Sequence, residues 1–264
     1  MTDDRPAGDT PDDGGRNQTD RETGTMTLFE HLAELRNRVI ISIVAIVAGM
    51  VVVWFFYNPL LHFMIHPYQQ YLAHHPNKNI SKAQLITNGP IEGFTTRLKV
   101  CGYGGVVLGA PVILWELWRF ITPGLHKNEK RYIIPFVTAA IALFALGVLT
   151  AILVFPKALD WLINVSGNGI VPLFTFSKYS TIYLAMCVVF GAVFMYPLVL
   201  VFLMLVGVVP SRRWRKWRRP AIVVIALVAA VITPSSDPFS FLAMSVPMYV
   251  FYELSIVVGR LLKK

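Results

Sequence analysis

The chain has 264 residues, 55% of them hydrophobic and 15% charged, with a mean hydropathy of +0.57. A water-soluble domain averages about 25% charged residues, so this composition excludes one and points to a chain threaded repeatedly through a membrane. The net charge of +9 does not mark a nucleic-acid binder, because the basic residues gather beside apolar runs instead of covering a soluble surface.

Residues 1–25 stand apart from the rest. Asp3, Asp4, Asp9, Asp12, Asp13, Asp20 and Glu22 face only Arg5, Arg16 and Arg21, and Gly, Pro and Thr fill much of the remainder. Such a segment cannot bury enough apolar surface to fold and reads as a disordered acidic tail ahead of a membrane domain over 26–264. It lacks the basic start and apolar core of a secretory signal, so the first span is expected to stay in the mature protein.

Thr27 and Glu30 have the spacing of a capping box, which predicts a helix start. On that helix Leu28, Leu32, Leu35 and Val39 share one side, while Glu30, Glu34 and Arg38 recur on another. This charged turn runs into the first apolar run, Val39 to Tyr57, whose nineteen uncharged residues suffice to cross a hydrocarbon core of roughly 30 Å. Trp54, Phe55, Phe56 and Tyr57 close it as an aromatic belt.

Asn58 to Lys99 reads as a long connection with an interfacial helix over Leu60 to Tyr71, broken near Pro67, and a turn at Asn88-Gly89-Pro90. His62 and His66 have metal-pair spacing but no evident third ligand, so no metal and no cofactor is expected. The second span, about Val100 to Ile121, carries Gly102, Gly104, Gly105 and Gly109, which suit close helix approach, and Pro111, which predicts a kink. Trp115, Glu116, Trp118 and Arg119 mark its far interface.

The third span runs from about Tyr132 to Phe155, with a loop predicted from Pro156 to Lys178. The fourth, about Tyr179 to Val209, is the longest and is expected to bend at Pro197. A basic stretch from Arg212 to Arg219 with interleaved tryptophans reads as a headgroup anchor. The fifth run, Ala221 to Ile232, is short for a span, implying local bilayer thinning or burial against neighbours. The sixth, Phe239 to Gly259, is interrupted by Pro247 and carries Glu253. Cys101 and Cys187 each lie inside an apolar run, where packing is the expected role.

Placing the amino terminus in the cytosol puts fifteen basic residues on cytosolic flanks and six on the other side, which satisfies the positive-inside rule. The prediction is an all-α polytopic membrane protein with six transmembrane helices, both termini cytosolic, and several proline-kinked or short helices.

Several landmarks occur in a telling order. His31-Leu32-Ala33-Glu34-Leu35-Arg36-Asn37-Arg38 precedes the first span, and Ala110-Pro111-Val112-Ile113-Leu114 lies in the second. Trp118-Arg119-Phe120-Ile121-Thr122-Pro123-Gly124-Leu125 leads to Glu129-Lys130-Arg131, and Phe155-Pro156 ends the third span. Phe190-Gly191, Pro197, Thr233-Pro234, Asp237 and Val246-Pro247-Met248-Tyr249 with Glu253 complete the series. Over about residues 26 to 261 this pattern resembles the TatC family of the twin-arginine protein translocase.

The resemblance implies a receptor and not an enzyme: a multi-pass subunit of the cytoplasmic membrane that binds the twin-arginine signal peptides of folded cargo. It also implies single-span partners, TatB and TatA, in an oligomeric complex among membrane lipids, driven by the proton-motive force. Glu34 and Glu129 match the family's signal-binding glutamates. Arg36, Phe120, Pro123, Leu125 and Arg131 match its other loop and pre-helix positions, and Pro67 a proline of the first outer loop. Where the family usually has Glu or Gln in the fourth span, this chain has Met195, with Tyr196 or Glu253 as candidates to compensate.

Plainer roles stand beside these. Glu34 is spaced to pair with Arg38 on its own helix. Glu129 is also compatible with an ordinary solvated loop charge. Glu253 is an intramembrane functional candidate by default, or a side chain reaching toward an interface near Arg260. An intramembrane protease has no motif here. A proton-coupled small-solute transporter is the alternative, though no internal repeat and few intramembrane charges support it.

Overall fold

The computed structural model describes residues 28–74, 85–121, 133–165, 174–207, 214 and 217–261. Eight helices lie within them: α1 (Leu28–Phe55), α2 (Tyr57–His74), α3 (Pro90–Ile121), α4 (Ile133–Val165), α5 (Phe176–Phe194), α6 (Tyr196–Leu205), α7 (Arg218–Ile232) and α8 (Pro238–Leu261). The only pairing outside helices among the described residues is a parallel bridge between Ile86 and Thr175. Among the described residues, five stretches are long and apolar enough to cross a membrane: α1, α3, α4, the α5–α6 pair and α8. The fold is all-α and multispanning. The chain divides after Asn37 into two units. The first contributes the opening turns of α1; the second, Arg38–Lys264, holds the rest of α1 and all the other helices.

α4 packs against α2, α3, α5, α6 and α8. The closest contact is with α5, and glycine permits it. A Cβ on Gly147 would strike the backbone of Phe190 and Gly191, and one on Gly191 would lie 2.7 Å from the Phe144 ring. A second glycine seam joins α1 to α3: a Cβ on Gly49 would lie 2.8 Å from the Gly105 carbonyl oxygen, and one on Gly104 would lie 2.8 Å from Val53. Without a hydrophobic drive between helices in lipid, such close backbone approach supplies much of the adhesion. Gly102, expected to share this surface, has open space around it.

Proline acts differently at each site. Pro67, Pro111, Pro156 and Pro247 all lie inside continuous helices. The break predicted at Pro67 and the interruption at Pro247 do not occur, and α4 continues through the loop start predicted at Pro156 to Val165. A proline removes one backbone bond, and neighbouring turns tolerate that loss when their side chains are packed. Here Ala158, Leu159 and Ile163 of the extension are buried. Pro197, unlike these four, stands beside a break. The chain turns at Met195, whose N–H donates to the Ala192 carbonyl at 3.2 Å while its own carbonyl accepts from Leu198 at 3.0 Å. These three-residue bonds tighten the backbone between α5 and α6.

At one end α2 lies across the extension of α4 and the start of α5. The Tyr179 hydroxyl donates to the Met64 carbonyl at 2.6 Å, and the Tyr71 hydroxyl donates to Asn164 at 3.4 Å. Tyr68, Phe155, Tyr179 and Tyr183 pack edge-on here, with Phe155 4.6 Å from Tyr183 between ring centres. The core residues around them include Met186, Phe190, Met244 and Tyr252, all fully buried.

Candidate functional site

Charged side chains mark the two ends of the α1–α3 pair. Where α1 ends and α3 begins, the Arg97 guanidinium lies over Trp54 at 4.0 Å and over Tyr57 at 4.7 Å from the ring centres. It also donates to the Trp54 carbonyl at 3.3 Å. Burial pushes the Tyr57 hydroxyl pKa up, and the neighbouring guanidinium pulls it back. At the opposite end, Arg38 Nη1 donates to Glu116 Oε2 at 3.1 Å, with side chains only 12% and 9% exposed. A pair so shielded gains from low local dielectric but has surrendered its hydration, and removing one partner typically costs roughly 3–5 kcal/mol. Two antiparallel helices are thus tied at both ends by cations.

The end of α3 is held on its other side as well. Trp118 packs on Phe136 of α4 at 4.8 Å and on Phe202 of α6 at 5.5 Å between ring centres. Phe120, half-buried, comes two residues later, just before α3 ends at Ile121. Glu34 and Arg36 lie on the first turns of α1, Glu34 half-buried and Arg36 exposed. Pro123, Leu125, Glu129 and Arg131 lie outside the described residues.

A second cation tie joins α7 and α8. Arg218 Nη2 donates to Glu253 Oε2 at 2.5 Å, and the Tyr249 hydroxyl lies 3.5 Å from the other carboxylate oxygen. The partner of Glu253 is therefore Arg218, one of the basic anchor residues, and not Arg260. Beside it Tyr252 donates to the Trp214 carbonyl, also at 2.5 Å. At the far end of the same pair, Asp237 caps α8: its Oδ1 accepts the Ser240 N–H at 2.7 Å.

Met195 and Tyr196 are half-buried at the α5–α6 break. Met195 packs toward Ala110, Leu114, Ala140 and Phe144, and Tyr196 toward the main core. Pro67 lies in the interior of α2.

Sequence reasoning missed the Arg38–Glu116 pair by treating Glu116 as an interface marker. Its signal was there: opposite charges at the same end of two long apolar runs, which lipid would force together. Gly147 was missed, and Gly191 was noted only within the Phe190-Gly191 landmark and not as a packing contact, because isolated glycines in apolar runs carry no pattern.

Comparison with known proteins places the whole arrangement. The family of Sec-independent protein translocase protein (TatC) matches residues 30–247. The chain is 38% identical over 247 residues to the TatC protein of Frankia casuarinae, covering 91% of this chain and 67% of that one. It is 37% identical over 239 residues to that of Koribacter versatilis, covering 89% and 86%. A crystal structure of a twin-arginine translocase receptor TatC in DDM superposes with a TM-score of 0.70 at 33% identity, covering 87% of this chain and 99% of that chain. With the family matched from the first turns of α1 into α8, and the helical arrangement matched as well, the chain belongs to the TatC family of Sec-independent protein translocases.

Proposed function

We propose that this protein is the signal-peptide receptor of a twin-arginine translocase, engaging the paired arginines of folded cargo on its cytosolic face through Glu34 and Glu129. It is a multi-pass component of protein transport in the cytoplasmic membrane, not an enzyme. The observation that carries the reading is the coincidence of family membership over residues 30–247 with acidic residues at both positions that match the family's signal-binding glutamates.

The chemistry suits the task. A guanidinium is a planar fork of donors, best met by a two-oxygen acceptor, and two adjacent arginines call for two carboxylates. Arg36, Phe120, Pro123, Leu125 and Arg131 frame those acids in this reading. Lys127, Lys130 and Arg131 near Glu129 in sequence favour its charged form and also compete for it.

The membrane domain over 26–264 has six spans, with α7 as the fifth and α8 as the sixth, and both termini in the cytosol. The distribution of basic residues supports this topology, as does the pairing of Arg218 of α7 with Glu253 of α8. TatB and TatA are the single-span partners, in an oligomeric assembly. Met195 replaces the polar group usual at the fourth span, so docking of a partner helix there rests on apolar contact in this chain.

The test is photo-crosslinking of a twin-arginine peptide and a twin-lysine control to membranes carrying the full chain. Wild type labels with the first and not the second. Glu34→Ala and Glu129→Ala each reduce labelling severely. Normal labelling in both variants refutes the assignment of the two acids.

A further inference from the structure

Within the span formed by α5 and α6 the chain turns at Met195, and the backbone ladder is thin there. The Met195 N–H is shared between the carbonyls of Ala192 and Val193. Pro197 has no N–H to give, and the Leu198 N–H reaches only three residues back, to Met195. Between Phe194 and Leu198 a change of bend therefore strains few backbone bonds.

The contacts beyond this turn are of two kinds. α6 packs more on α8 than on α4 or α5, and α8 packs on α7. Inside this group the joins are directional. The Ser255 hydroxyl of α8 donates to Phe251 at 2.7 Å and lies 3.3 Å from the Pro197 carbonyl of α6. Arg218 of α7 pairs with Glu253 of α8, and Tyr252 of α8 donates to the Trp214 carbonyl just ahead of α7. The joins from α6 to α3 and α4 are apolar instead: Trp118 on Phe202, and Phe136 against Val201, Met204 and Leu205. A hydrogen bond or ion pair holds in one arrangement, whereas apolar contact is non-directional and survives a shift.

A groove of about 410 Å³ separates the two sides. Ala139 and Leu143 of α4, Leu198 and Leu205 of α6, and Leu254 and Val258 of α8 wall it, and Pro197 lies in the same wall. Closing it exchanges contact with lipid for contact between side chains. Lipid tails are as apolar as leucine, so the exchange changes the free energy little and both widths are accessible. The other end of the group is pinned. Asp237 and Ser240 at the start of α8 are buried, and the Ser235 hydroxyl of the α7–α8 turn reaches the Met186 sulfur of α5 at 3.6 Å.

We propose that the α5–α6 turn is a hinge: α6, α7 and the end of α8 swing as one body against α3 and α4, opening and closing the groove between them. α6 has ten residues, about 15 Å at the helical rise, so a change of about 20° in the bend carries its end by about 5 Å. The hinge does not depend on the receptor role proposed for the chain.

The experiment measures distances between pairs of spin labels on the full chain in nanodiscs of phosphatidylethanolamine and phosphatidylglycerol. Labels go on exposed positions: Ile134→Cys of α4 with Val257→Cys of α8 across the groove, Val223→Cys of α7 with Val257→Cys inside the moving body, and Leu117→Cys of α3 with Ile134→Cys inside the other. Cys101 and Cys187 are buried and stay in place, and the chain carrying only these two takes up no label. The pair across the groove shows two distances about 5 Å apart, the swing worked from the length of α6, and each pair within a body shows one. Pro197→Ala restores a donor to the ladder and collapses the two distances to one. Met195→Gly loosens the turn and broadens them, and it serves where Pro197→Ala yields no folded protein. A single narrow distance across the groove in wild type overturns the proposal. So do two distances left unchanged by folded Pro197→Ala, or by Met195→Gly where that variant serves, and so does a spread within the α7–α8 pair as wide as that across the groove.

Discussion

The sharpest test of the packing uses one substitution at two positions. At Gly147 a methyl group has nowhere to go: its carbon would lie 2.7 Å from the Phe190 carbonyl carbon and 2.8 Å from Gly191 Cα, and closer still to the Phe190 oxygen. These are backbone atoms, so no rotamer change relieves them, and α4 and α5 must part by roughly an ångström. Overpacking of this kind costs about 1–3 kcal/mol, against a gain of about 1 kcal/mol from replacing glycine by alanine inside a helix. At Gly102 nothing lies within 4 Å of the same added carbon, so only the gain remains. Gly147→Ala is therefore expected to destabilise by up to about 2 kcal/mol and Gly102→Ala to stabilise by up to about 1 kcal/mol. Unfolding of the purified protein by SDS in mixed micelles, followed by tryptophan fluorescence, measures both against wild type. Equal effects of the two variants, or a Gly147→Ala protein more stable than wild type, would refute the close-approach argument.

Other expectations rest on single contacts. Arg97→Lys keeps the charge but loses the planar stack on Trp54 and Tyr57, lowering stability by about 0.5–1 kcal/mol, and Arg97→Ala by about 1–2 kcal/mol, in the same unfolding assay. Asp237→Ala removes the cap of α8 and costs about 0.5–2 kcal/mol, whereas Asp237→Asn retains an acceptor and costs less. Arg218→Ala or Glu253→Ala changes stability by no more than about 1 kcal/mol, because the two side chains are 44% and 30% exposed; a loss above about 2 kcal/mol would mean the pair is shielded in the assembled membrane.

Much of the helical layout is legible in the chain because the bilayer is so strict a solvent. A run such as Val39 to Tyr57 has one stable fate: as far as Phe55 it becomes the spanning part of α1, and Tyr57 already opens α2. Proline was less readable. Nothing local distinguishes Pro156, which α4 passes through, from Pro197, beside which the chain turns at Met195. The difference lies in the residues beyond each proline: Ala158, Leu159 and Ile163 find a buried surface that rewards continuing the helix. The candidate site divides in the same way. Glu34 and Phe120 are proposed from their place in a motif, which a sequence displays. The tie between Arg38 and Glu116 joins residues 78 positions apart, and only the crossing of two helices brings them together.

The same ties measure the slab that the helices enclose. From Arg38 to Trp54 on α1 is sixteen residues, about 24 Å at the helical rise, and from Arg97 to Glu116 on α3 nineteen, about 28 Å. On α8 the distance from the capping Asp237 to Glu253 is again about 24 Å, and on α7 Arg218 to Thr233 gives about 22 Å. α7 is thus short only by comparison with an average bilayer. At one end Arg218 pairs with Glu253 of α8, and at the other the Thr233 hydroxyl reaches the Met244 sulfur inside α8 at 3.6 Å. Within the chain, only Ile225 and Ala229 of α7 are buried, so its own neighbours cover little of the short helix. A span of that length is met either by a locally thinner hydrocarbon layer or by a neighbouring helix laid against the exposed face of α7.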